Sequence, residues 1–177
     1  PFNTTNGTKT AVASPAVGDP IVLLTAHSGN TASVGPTDDN TDGLGTYTQV
    51  ESGLRGASAD ILQVWVRDAL VGAAASTTFT HAPGTTTGGG LAVLKVTGMT
   101  RVGSGAKRQS AKQENQASGG TPTPVFGSAA LTGNPVIGIV YNGDNPATMT
   151  ARSSPAYSEL LDTGYAAPTR GVHIMSI

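Results

Sequence analysis

The sharpest chemical motif in this chain is Asp38-Asp39-Asn40-Thr41-Asp42-Gly43. Asp38, Asn40 and Asp42 stand at alternate positions and Gly43 falls at the sharp turn, as in a D-x-N-x-D-G calcium loop. Oxygen ligands at that spacing converge on a hard cation, so calcium is the one cofactor the motif suggests. Position twelve, however, is Gln49 where a bidentate Glu is required, and no flanking helices are apparent. The competing reading is an Asx-rich turn between strands. Lys107, Arg108 and Lys112 form a second constellation, a small basic cluster suited to docking on a neighbouring protein surface. Glu114 and a net charge of −1 argue against nucleic acid.

Other chemistry finds little support. His27, His81 and His173 lie far apart, with no H-x-H or H-x-x-x-H pair, and read as ordinary strand-end histidines. No G-x-S-x-G elbow occurs. Asp60, Asp68, Glu51 and Glu159 are carboxylates from which a glycosidase pair could be drawn, but nothing singles out two of them. Without a role-defining constellation, the expectation is a protein that is not an enzyme. Glycan binding would need aromatic platforms. Trp65 is the best-placed candidate, set against the simpler reading of a ring buried under a second layer.

The elements that must position these residues are short. The chain has 177 residues with 24 Gly, 11 Pro and no Cys, and only 12% are charged. That length suits one domain, and the absence of Cys removes disulfides, thiolate nucleophiles and Cys-ligated zinc together. No apolar run approaches a membrane span, and Pro1–Thr10 has neither the basic nor the apolar region of a secretory leader. Ile21–Ala26 is a short β-branched run bounded by turn residues and reads as a buried strand. Thr46–Glu51, Ile61–Asp68, Ser76–His81, Leu91–Gly98, Val136–Tyr141 and Gly171–Ile177 read as further strands, with weak alternation at Thr148–Arg152. An Asn142–Pro146 turn follows Val136–Tyr141, and Tyr157–Asp162 suggests a short helical turn. In Ile61–Asp68, Leu62, Val64 and Val66 form an unbroken apolar face and Trp65 lies opposite. Residues 1–20 read as an N-terminal arm and lead-in, and residues 21–177 as a single domain with a long polar loop at 99–124.

This pattern predicts an all-β fold, an antiparallel β-sandwich. The runs VGDPIVLLTAHSGN, GLGTYTQV, ILQVWVRDALVGAAASTTFT and LAVLKVTGM resemble those of jelly-roll-like sandwich proteins of bacteriophage virions, over Val17–Gly98 and more faintly Gly133–Ile177. The resemblance implies a structural virion component with no active site. A capsid decoration or cementing protein on the phage head is the leading expectation. A receptor- or carbohydrate-binding module of a tail fibre or adhesin is the alternative. It also implies partners among the major capsid protein and other virion subunits, a homo-oligomer (a trimer fits capsid symmetry axes), and no role for nucleic acid or membrane. The arm, with Phe2 and Asn3, and the loop, with Lys107, Arg108 and Lys112, are the expected partner-binding elements. Related sandwiches often carry a further closing strand after the position of His173. Its absence would leave an edge for a neighbouring subunit to complete.

Overall fold

The computed structural model describes residues 2–3, 7–42, 45–55, 59–96, 98–114, 123–142, 156–165 and 170–177. Gly43, the centre of the polar loop and the expected strand at Thr148–Arg152 lie outside the described residues, as does most of the Asn142–Pro146 turn. The described residues form eleven strands in chain order: β1 Phe2–Asn3, β2 Lys9–Ala13, β3 Ile21–Ser28, β4 Thr37–Asp38, β5 Tyr47–Arg55, β6 Asp60–Arg67, β7 Thr77–His81, β8 Gly88–Lys95, β9 Ile137–Asn142, β10 Ser158–Tyr165 and β11 Arg170–Ser176. They build an all-β, antiparallel sandwich. A five-stranded sheet has the order β1-β8-β3-β6-β5, and two three-stranded sheets have the orders β10-β11-β9 and β2-β7-β4.

The five-stranded sheet is a middle layer. All eight residues of β3 are buried. Side chains alternate across a strand, so a run covered on both faces loses the alternation of a half-wet strand and reads as continuously apolar. On one face Ile21 and Leu23 join Trp65, Val71, Phe79 and Leu91, with Ala11 and Ala13 of β2 packed against them. On the other, Leu24 and Ala26 meet Val172 and Ile174 of β11, with Ile137 and Ile139 of β9 alongside. Burying each such Leu or Ile contributes about 1.5–3 kcal/mol. Met99 and Ala106, flanking and closing the 3₁₀ turn Gly103–Ala106, cover a third cluster of Val22, Val66 and Val96.

Two local readings change. Tyr157–Asp162 is not a helical turn, because Ser158–Tyr165 pairs antiparallel with β11. A register shift between Glu159 and Leu161 interrupts its alternation, and that interruption hides a strand from a period-two reading. The first residues also do not form a free arm. Phe2 and Asn3 pair with Gly90 and Gly89, and Lys9–Ala13 pairs along its length with β7.

Candidate functional site

The Asp38–Asp42 turn is occupied by a cation of the protein's own. Arg67, at the end of β6, donates from Nε to Asp38 Oδ2 at 2.9 Å and from Nη1 and Nη2 to Asp42 at 2.9 and 2.5 Å. The arginine and Asp38 side chains are 1% and 0% exposed. Burial opposes the arginine's charge, but its bonds to Asp42 and Asp38 outweigh that and raise its pKa. Tyr47 donates to Asp38 at 2.7 Å, and burial followed by the neighbouring carboxylate pushes its phenol pKa up. Asn40 does not point at the carboxylates' cation; its amide donates to Ala73 O and Thr77 Oγ1 at 3.1 and 2.8 Å. The motif read as a calcium loop is thus a turn stapled to Arg67 and to the 69–78 segment, with carboxylates already neutralised by guanidinium.

Two of the three dispersed histidines converge. His81 Nε2 and His27 Nδ1 lie 3.2 Å apart in the core, with the residues 0% and 1% exposed. Burial is the chief cause that lowers both rings from 6.5 to about 4, and for His81 the neighbouring His27 adds to it. Gly89 sits opposite His27 in the β3–β8 ladder, where a Cβ would stand 2.5 Å from Ala26 O and 3.0 Å from His27 Cβ. Only glycine allows the strands to close here. Lys9, opposite His81 in the β2–β7 ladder, is itself buried, and burial lowers its pKa.

The basic cluster is largely spent inside the chain. β5 is an edge of the middle sheet, and residues 107–114 lie along it. Lys107 Nζ donates to Val50 O and Lys112 Nζ to Ser52 O, the latter at 2.9 Å. Glu114 Oε1 accepts from Leu54 N at 3.0 Å and from Lys112 at 3.0 Å. The Leu54 amide and then Lys112 hold the Glu114 carboxyl below its ordinary range. Side chains alternating as donor, donor and acceptor stand in for a missing strand and blunt the edge. Lys107 and Lys112 make these bonds within the chain while staying exposed, as Arg108 does.

The opposite edge is different. Among the described residues β1 pairs with β8 only at Gly89 and Gly90, so Leu91–Lys95 has no strand beyond it. A groove of about 370 Å³ runs beside that stretch, walled by Val12 of β2, Leu91 and Val93 of β8, and Leu160 and Leu161 of β10. A second hollow of about 270 Å³ continues past Leu94 and Lys95 to Ile137 and Ile177. Val12 and Leu160 are 69% and 49% exposed.

The last constellation lies on β10 and β11. Asp162 opposes His173 directly, so both project from one face, the face turned away from Val172 and Ile174. Without the register shift, Glu159, three residues from Asp162, would project oppositely. The extra residue restores it to the face of Asp162 and His173. One ligand atom from each of the three lies within 4.8 Å of the others. His173 Nδ1 is 3.9 Å from Glu159 Oε2. His173 is 1% exposed, yet neither ring nitrogen has a hydrogen-bond partner, and Asp162 Oδ1 is likewise buried and unpartnered. Such orphaned groups cost about 1–3 kcal/mol each.

The remaining expected residues disperse. Asp60 accepts from Arg170 at 2.8 Å, joining the middle sheet to β11; Asp68 accepts from Thr48 at 2.5 Å; Glu51 faces Lys107. Trp65 is 5% exposed and donates to Thr25 Oγ1 at 3.0 Å. The sequence reading missed Arg67 and Asp162. A buried arginine on an apolar strand was the available signal for the first, while the second depends on a bulge that residue types do not announce. No family model matches the chain, and neither a curated protein nor a solved structure matches it.

Proposed function

We propose that the chain is a non-enzymatic virion structural protein of the capsid-decoration kind, joined to neighbouring virion subunits through its β8 edge. The apolar groove walled by Val12, Leu91, Val93, Leu160 and Leu161 carries this reading. An extended segment added there gains main-chain hydrogen bonds from β8 and seats alternate side chains in the groove. Repeated around a particle, such contacts sum even when each is weak. The strand-and-turn resemblance supports the virion context. Arg67 is held internally by Asp38 and Asp42, which fits a role carried by surface contacts. The receptor- or carbohydrate-binding alternative relied on Trp65 as an exposed platform, and the buried ring removes that support.

The test is reattachment. Particles stripped of this protein are incubated with the wild-type chain or with Val12→Lys, a substitution at the groove rim. Wild type is expected to rebind and Val12→Lys to rebind at least about tenfold more weakly, with unchanged circular dichroism. Equal rebinding would remove the β8 edge from the proposal, and absence of the protein from purified particles would remove the virion role.

A further inference from the structure

We propose that Glu159, Asp162 and His173 form a binding site for a divalent transition-metal ion. Two observations carry it independently. The first is convergence: the β10 bulge places two carboxylates and an imidazole on one face, with ligand atoms within 4.8 Å of one another. The second is the state of the donors. A histidine 1% exposed has no hydrogen-bond partner on either nitrogen, and a buried oxygen of Asp162 has none. Buried polar atoms are ordinarily paired, and an ion between them supplies the partner that the protein does not.

The donor set selects the ion class. One imidazole with two carboxylates suits zinc, manganese, iron(II), cobalt or nickel, whereas calcium and magnesium prefer all-oxygen shells. Ligands bound at about 2.0–2.1 Å stand roughly 3.3 Å apart around a tetrahedral ion. His173 Nδ1 and Glu159 Oε2, at 3.9 Å, need only a small contraction. Glu159 can supply it, because its side chain is 49% exposed, while the ladder keeps Asp162 directly opposite His173. Three protein ligands leave a tetrahedral ion one open position. That position could be filled by water or by a donor from a neighbouring molecule. This site is independent of the β8 edge proposal.

Isothermal titration of the full chain with zinc chloride, after chelator treatment and dialysis, tests the site. One zinc per chain is expected, with magnesium silent. Glu159→Gln, at an exposed position, should fold as wild type and bind zinc at least about tenfold more weakly, since even outer-shell changes cost about 10–100-fold. Zinc should also move the ring nitrogen resonances of His173 and leave those of His27 and His81 in place. No zinc binding by wild type, undiminished binding by Glu159→Gln, or shifts confined to His27 and His81 would each overturn the proposal.

Discussion

The two edges of the middle sheet are finished in opposite ways. At β5, Lys107, Lys112 and Glu114 reach the outward backbone groups of Val50, Ser52 and Leu54 and occupy them. At β8, nothing among the described strands pairs beyond Gly90, and the flank is apolar. An unprotected strand edge is a template for pairing with another chain. Among the described residues, one edge is thus covered by charged side chains and the other lies beside an apolar groove. That asymmetry is what directs the proposed docking to the β8 side.

The comparison can be broken or sharpened experimentally. The largest effect should come from Arg67→Met. Arg67 opposes Tyr47 at the first rung of β5 and neutralises Asp38 and Asp42. Removing one member of a buried ion pair costs about 3–5 kcal/mol, roughly 6–20 °C in Tm for a chain of this size. A loss below about 1 kcal/mol in urea unfolding would mean that this network does not anchor the sealed side.

Next comes acid sensitivity on the β8 side. His27 and His81 have folded pKa values near 4, below the ordinary 6.5. The unfolded chain therefore binds more protons between these values. The stability from the neutral pair is fully present above about pH 6.5 and is lost as pH falls toward 4, on the order of 3 kcal/mol for each ring. Urea midpoints at pH 7 and 4.5 should differ accordingly, and His81→Gln should flatten the slope. An unchanged slope in that variant would assign the acid loss elsewhere.

A smaller energetic effect is expected from the double change Lys112→Ala and Glu114→Ala. Exposed ion pairs contribute about 1 kcal/mol or less, so the fold should persist. Its consequence should be self-association, seen by light scattering, as β5 loses its cover; a monodisperse variant would show that the cap protects nothing. Val12→Lys should leave stability within about 0.5 kcal/mol of wild type, so its weakened attachment would report the groove alone.

Much of the fold was legible because it is local. Ile21–Ala26 has the continuous apolar character that a doubly covered strand requires, and it is one. Trp65 stands opposite Leu62, Val64 and Val66, and a second layer does cover it. Tyr157–Asp162 was illegible as a strand because the shift at Glu159–Leu161 destroys period-two alternation. The basic cluster was legible as charge but not as an edge cap, since its partners are backbone atoms of a strand some sixty positions earlier.

The sequence by itself determined the short antiparallel strands, their buried faces and the absence of any cysteine chemistry, because β-branched runs, turn residues and composition act over a few positions. Only the tertiary structure decided which charges meet. His27 finds His81 across 54 residues, Arg67 finds Asp42 across 25, and Arg170 finds Asp60 across 110. Those meetings depend on strand register and on which sheet packs against which. Register is a collective outcome of the whole ladder, and a single bulge is enough to bring Glu159 round to His173.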